Sequence, residues 1–229
     1  MGRILLLAAI AVVLAGCGGR EATAPSELRY TRIDWLGNEC FRITSPIGTS
    51  ILTNPYASKT EGRSLPANLK SDVVLITSES PRRNNVNAFS NQPAILRGGV
   101  GIGINNVSGI GILGVPVYRD PELASSLGMN LVYAWTMDGI RYCFIESPVR
   151  PLDTYQLGQI GRVDVLLMTP AGVGTALRKE IVSQLKPRLL IPVGSGSRGW
   201  VVGNKYTTKG TTFMLARQML PAETATLHF

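Results

Sequence analysis

Histidine, the side chain most used for metal ligation and proton transfer near neutral pH, occurs once in the 229 residues, as His228 beside the C-terminus. A zinc site built from several imidazoles is thereby excluded. A Ser-His-Asp triad would require the terminal His to fold back into it. Three thiols are present: Cys17 at the end of an apolar leader, and Cys40 and Cys143, each inside an apolar run. In an oxidising compartment Cys40 and Cys143 could pair; unpaired, they serve as small buried hydrophobes. The stretch from Gly109 to Gly114 is a literal G-x-G-x-x-G. Cradling a phosphate with it requires a strand before and a helix N-terminus after. Val115–Tyr118 follows instead and reads as extended chain, so these glycines are expected in tight hairpins.

The leader has Arg3 followed by an apolar run from Ile4 to Ala15. That run is shorter than the roughly 20 residues a bilayer-spanning helix needs and suits the h-region of a signal peptide. It ends in Leu14-Ala15-Gly16-Cys17, which resembles the lipobox of bacterial lipoproteins. The resemblance implies cleavage before Cys17, a diacylglycerol on its thiol, and acyl chains of the palmitate type holding the protein on a membrane. Each buried CH₂ contributes about 0.8 kcal/mol, so two or three chains anchor stably. The expected organisation is therefore 1–16 signal peptide, 17–27 lipidated tether and 28–229 folded domain. Gly18, rather than Asp, after the lipidated Cys places the protein on the outer membrane facing the periplasm in a two-membrane cell. The net charge of +8 is spread without a basic run or interleaved aromatics. That pattern fits adhesion to anionic headgroups and excludes a nucleic-acid-binding stripe.

Behind these groups, apolar runs bounded by Gly, Pro and Asn predict strands over Leu28–Trp35, Cys40–Thr44, Ser50–Thr53, Asp72–Thr77, Val115–Tyr118, Leu131–Thr136 and Ile140–Ile145. Met137-Asp138-Gly139 carries a hairpin signal. Val163–Met168 and Leu189–Val193 read as buried strands flanking an amphipathic helix over Ala176–Leu185, with Lys186-Pro187 as its stop. Strand, helix and strand make a βαβ crossover. The fold class is α/β, with layered sheets and helices outside. The segment Gly199–Phe229 is expected to form a terminal strand and helix, or else a binding edge.

Several ordered blocks resemble the metallo-β-lactamase-fold superfamily, in the branch similar to L-ascorbate-6-phosphate lactonase. They are Trp35-Leu36-Gly37-Asn38-Glu39-Cys40-Phe41-Arg42-Ile43, Ile51-Leu52-Thr53-Asn54-Pro55-Tyr56, the strand Ser71–Thr77, Asp138-Gly139-Ile140-Arg141 and Pro192-Val193-Gly194. Together they span about residues 28–198. The resemblance implies a four-layer αβ/βα sandwich with its site at the strand ends between the sheets.

The family's metal ligands are what this chain lacks. The His pair falls on Ser78 and Ser80, and the Asp-His pair on Arg82 and Arg83. The bridging Asp falls on Ser147 and the distal His on Gly194. The early His falls on Asn38, and the Asp of D-P-Y on Asn54. Hydroxyls are poor zinc ligands, Gly has no side chain, and Arg repels a cation. The reading is a membrane-anchored pseudo-hydrolase with no catalytic residue, no metal and no cofactor. Two states of the former metal cleft stay open: it binds an anionic small molecule, with Arg82 and Arg83 as charged donors and Ser78 and Ser80 as neutral ones, or it has closed and the Arg side chains are solvated surface. Two other classes stay open. One is a hydrolase with a hard cation on Glu39, Glu79, Asp120, Glu146 and Asp153, or a metal-free Ser-Lys mechanism through Lys205. The other is a surface scaffold that binds a protein partner.

Overall fold

The computed structural model describes residues 28–57, 63–80, 82–118 and 129–229. The signal peptide and the whole tether with Cys17 lie outside the described residues, as does Asp120. Among the described residues the chain order is β1 (Thr31–Gly37), β2 (Cys40–Thr44), β3 (Ser50–Thr53), β4 (Val73–Leu75), β5 (Ala94–Leu96), β6 (Gly103–Val107), β7 (Ile110–Tyr118), β8 (Met129–Met137) and β9 (Ile140–Ile145). Then follow α1 (Thr154–Ile160), β10 (Val165–Met168), α2 (Thr175–Leu185), β11 (Leu189–Pro192), β12 (Asn204–Thr207), β13 (Thr212–Leu215) and β14 (Ala225–His228).

The strands form a six-stranded sheet, β13-β1-β2-β3-β4-β5, and an eight-stranded sheet, β12-β14-β11-β10-β9-β8-β7-β6. Period-two alternation assigns the faces. Ile33, Phe41, Ile43, Ile51, Val73 and Leu75 of the first sheet meet Tyr133, Trp135, Tyr142, Phe144, Leu167 and Ile191 of the second in one core. The residues between them, Val132, Ala134, Cys143, Ile145, Leu166 and Leu190, face outward and pack on Ile160, Ile181, Val182 and Leu185 of the helices. Burial on both faces explains why these strands read as unbroken apolar runs. On the outer face of the first sheet, Cys40, Leu52, Val74 and Ile76 are covered by Tyr56, Leu69, Val86 and Phe89 from connecting segments.

Cys40 and Cys143 therefore sit on opposite outer faces and are unpaired. Two sheets packed about 10 Å apart separate them, well beyond disulfide reach. Burial pushes both thiols up, Cys143 to about 12.

The helices join parallel strands, β9 to β10 and β10 to β11, so the crossover is as expected. A capping box closes the α1 N-terminus: Asp153 accepts from the Gln156 amide, and Gln156 accepts from the Asp153 amide. Lys186, left-handed at φ 44°, ends α2 before Pro187. The glycine motif lies in the β6–β7 hairpin, whose turn has Ser108 and Gly109 at φ 50° and 75°. The C-terminal segment supplies strands to both sheets, β13 at one edge and β14 beside β11. A single 3₁₀ turn at Arg217–Met219 stands where a helix was expected. No helix among the described residues is long and apolar enough to cross a membrane.

Gly114 is held glycine by packing. A Cβ there would lie 1.8 Å from the Gly101 carbonyl oxygen, which is backbone and cannot yield. Gly114→Ala is expected to lower unfolding free energy in urea by about 3 kcal/mol. A change within about 0.5 kcal/mol, the range of an ordinary surface substitution, would contradict this packing.

Candidate functional site

Parallel pairing of β3 with β4 and of β9 with β10 and β11 carries several strand ends to the same edge. Asn54 follows β3, Thr77 and Ser78 follow β4, Glu146 and Ser147 follow β9, and Gly194 follows β11. The main-chain bond from the Leu131 amide to the Thr77 carbonyl, 2.8 Å, joins the two sheets there.

Glu146 is the centre of this cluster. It is 5% exposed. One carboxylate oxygen accepts from the Thr77 hydroxyl at 2.5 Å and from the Asn54 amide at 3.4 Å, with the Ser78 hydroxyl at 3.5 Å. The other is 2.8 Å from the Arg83 guanidinium. Asn54, left-handed at φ 39°, bridges the strands. Its Oδ1 accepts from the Thr77 amide at 3.0 Å, and its Nδ2 donates to the Thr77 hydroxyl at 2.9 Å. The left-handed backbone is one that Asn tolerates better than most residues.

Arg83 carries the cation of the cleft. Besides Glu146, it lies 4.0 Å from Glu39, which comes from the β1–β2 turn. Glu39 in turn fills the space beside Gly194: a Cβ on Gly194, itself at φ 73°, would lie 2.5 Å from Glu39 Oε1. Thus a side chain at the position where the resemblance puts a distal His would have to displace the Glu39 carboxylate and adopt a left-handed backbone.

The expected cleft residues separate into groups. Asn54, Ser78 and Arg83 join at Glu146. Ser80 takes a local turn role, its carbonyl accepting from the Arg83 amide at 2.9 Å. Arg82 is exposed and makes no ion pair among the described residues. Ser147, left-handed at φ 42°, is half-buried and turns toward Pro148 and Leu152 rather than to the ion pair. Asn38 and Gly194 line a separate cavity of about 270 Å³ with Trp35, Arg63, Ser197 and Arg198.

The other candidates are dispersed. Glu79 points away, as strand alternation predicts, and pairs with Arg97, whose guanidinium holds its carboxyl below the usual range. Asp153 is the helix cap. Lys205 lies on β12, four strands from β9 in the sheet order, about 19 Å from the end that carries Ser147.

A zinc ion does not fit this donor set. The side chains at the family's ligand positions are hydroxyls, amides and guanidiniums, and the buried carboxylate is already bound to Arg83. Among the described residues no group of three or more His, Cys, Asp or Glu is placed to hold a metal ion. Sequence reasoning had Glu39 and Glu146 only as oxygen ligands. It missed Thr77, Arg63, Trp35 and Arg198, none of which falls on a family ligand position.

The family profile described as beta-lactamase superfamily domain matches residues 32–194. No curated protein matches the chain. A candidate Zn-dependent hydrolase of the metallo-beta-lactamase superfamily from Thermotoga maritima is 21% identical, with a TM-score of 0.64 over 86% of this chain and 97% of its own. A diphosphatase from the PhnP family is 10% identical, with a TM-score of 0.54 over 82% of this chain and 99% of its own. CmlA, a diiron beta-hydroxylase from Streptomyces venezuelae, is 12% identical at a TM-score of 0.50 over 77% of this chain and 46% of its own. These likenesses establish the fold.

Removing Arg83 would leave the buried Glu146 carboxylate without its cation. Arg83→Ala is expected to cost about 3 kcal/mol in chemical denaturation. Glu146→Gln in the Arg83→Ala background should recover part of that loss. Arg82→Ala should stay within about 0.5 kcal/mol. Equal effects at Arg82 and Arg83 would remove the ion pair from its central place.

Proposed function

The chain belongs to the beta-lactamase superfamily, and from that premise we propose that it is a lipid-anchored, non-hydrolytic member of the metallo-β-lactamase fold, derived from the ascorbate-6-phosphate lactonase-like branch. It works by binding rather than by turnover. The observation that carries the reading is the Arg83 guanidinium 2.8 Å from Glu146 and 4.0 Å from Glu39 at the inter-sheet strand ends. Activation of water in this fold class relies on a Lewis acid that lowers the pKa of bound water toward about 7. A guanidinium supplies positive charge but has no vacant orbital and keeps its proton near neutral pH. The Ser78 hydroxyl faces the Glu146 carboxylate at 3.5 Å, a long contact, and that carboxylate is held by three other donors, which weakens it as a base.

Anchoring rests on Arg3, the apolar run to Ala15 and the small residues before Cys17. These put the domain in the cell envelope, held by acyl chains on Cys17. The charge pattern supports contact with anionic headgroups and gives no support to nucleic acid.

The competing hydrolase reading draws on one observation, the approach of Glu39 and Glu146 to a common point. Two carboxylates facing a cation are what a hard metal would need. Here the cation is supplied by the chain itself.

Two measurements test the proposal. Protein purified without chelators should contain far less than one zinc, iron or manganese per chain by elemental analysis. It should also show no ester, lactone or phosphodiester hydrolysis that chelation abolishes. A stoichiometric metal with chelator-sensitive turnover would overturn the non-hydrolytic reading. For the anchor, cells fed a palmitate analogue should label the wild type in the membrane fraction. Cys17→Ala should lose both the label and the membrane association, and an unlabelled wild type would overturn the anchor.

A further inference from the structure

Arg83 is committed to Glu146 and Glu39, so it is not the group that would recognise an external anion. The positive charge left over lies one step away, around the 194–199 loop. We propose that the cavity of about 270 Å³ beneath this loop binds a small soluble oxyanion, a carboxylate or phosphate carried on a compact molecule, between Arg63 and Arg198 and over the amide of Asn38.

Asn38 supplies the first independent observation. It is 8% exposed, it lines the cavity, and its Nδ2 has no hydrogen-bond partner among the described residues. A buried NH₂ left unpaired costs about 1–3 kcal/mol, so a native fold keeps one only where something else accepts from it. Its main chain is fixed in place: the Asn38 carbonyl accepts from Trp35 Nε1 at 3.0 Å, and φ is 48°. An acceptor entering the cavity meets a donor already oriented.

The second observation is the placement of the guanidiniums. Arg63 stacks over the Trp35 ring at 4.6 Å, which immobilises it without neutralising it. Arg198 stands on the opposite wall in the turn Ser197–Gly199. Neither makes an ion pair among the described residues. The Glu39 carboxylate packs against the Gly194 wall and shares Arg83 with Glu146, so the two cavity guanidiniums also face one carboxylate charge that Arg83 does not fully offset. Planar donor forks of this kind select carboxylate and phosphate oxygens.

The third is His228. A smaller recess bounded by Trp35, Gly194, Ser197 and Arg198 shares those walls with the cavity and ends on His228. The residue is 5% exposed, and its Nε2 has no hydrogen-bond partner among the described residues. Burial and the nearby Lys205 lower its pKa, against the opposing effect of a hydrogen bond to the Trp200 main chain. The neutral ring at pH 7 leaves Nε2 able to accept from a hydroxyl of the bound molecule. The chemistry on the page thus asks for an oxyanion with a donor group on its other side. The cavity is smaller than the roughly 300–1,000 Å³ usual for drug-sized ligands, which sets the size class.

This inference rests on the binding reading above, and the two fail separately, since metal content and turnover test that reading and not this one. The experiment is calorimetric titration of the purified domain with inorganic phosphate and, separately, with a small hydroxycarboxylate such as malate, against chloride at equal ionic strength. Saturable binding of at least one is expected. It should weaken about tenfold in Arg198→Ala and in Arg63→Ala, in line with the loss of one charge-assisted contact. Asn38→Gly, which keeps the left-handed backbone available, should weaken it as well while leaving the melting temperature of the unliganded protein near wild type. Lys179→Ala, on the exposed face of α2, should bind as wild type does. The difference between the phosphate and malate arms assigns the head group. No saturation beyond the chloride control, or equal weakening by Lys179→Ala and Arg198→Ala, would overturn the site.

Discussion

One buried negative charge constrains the whole strand-end region. Glu146 sits at the end of β9 where the two sheets meet, and an ionised carboxylate there is tolerated only if it is paired and hydrogen-bonded. The pairing comes from the segment after β4, through Arg83, and the hydrogen bonds come from Thr77 and Asn54 after β4 and β3. Strand ends of the first sheet therefore answer a charge carried by the second. The left-handed Asn54 and the Gly194 notch filled by Glu39 are both parts of that arrangement. The inter-sheet mouth gathers these polar side chains because the strand-end connections leave the sheets there, and Arg83 is the cation among them.

Much of the fold was legible from burial pattern alone. Cys40–Thr44, Ser50–Thr53 and Ile140–Ile145 have the bounds expected of them, and α2 starts one residue earlier than expected. These elements are bounded by turn residues with a physical job, such as Asp138-Gly139 at φ 50° and 72° and the left-handed Lys186 before Pro187. The Gly109–Gly114 stretch was correctly read as hairpin because the residues after it continue a strand. The C-terminal segment was harder. Its strands β12 and β13 lie at sheet edges, where side chains are largely exposed and the hydrophobic period is weak.

The site was legible as a set of positions but not as a set of contacts. Matching the family blocks located Asn38, Asn54, Ser78, Arg83 and Gly194 at strand ends that do converge. It could not separate Arg83, which turns inward to Glu146, from Arg82, which faces solvent, since adjacent residues in a turn point to different sides. Glu39 stood out in the sequence only as a candidate oxygen ligand, not as a partner of Arg83. Its role depends on the absence of a side chain at Gly194, a residue 155 positions away in the chain. Arg63 and Arg198 carried no motif. Their placement over Trp35 and in the 194–199 loop follows from tertiary geometry that no local pattern encodes.

A guanidinium at the inter-sheet mouth behaves differently from a bound metal ion. A metal ion is held by ligands that point inward and leaves coordination sites open to substrate. Arg83 is covalently part of the chain, and its charge is spent on Glu146 and Glu39. The centre of the cleft is therefore electrostatically quiet: it stabilises the sandwich and offers little to an incoming anion. Among the described residues Arg63 and Arg198, which line the cavity, and the exposed Arg82 make no ion pair. On the proposed reading, binding lies outward of Glu146, toward the loop after β11, where Asn38 presents an amide donor to the cavity.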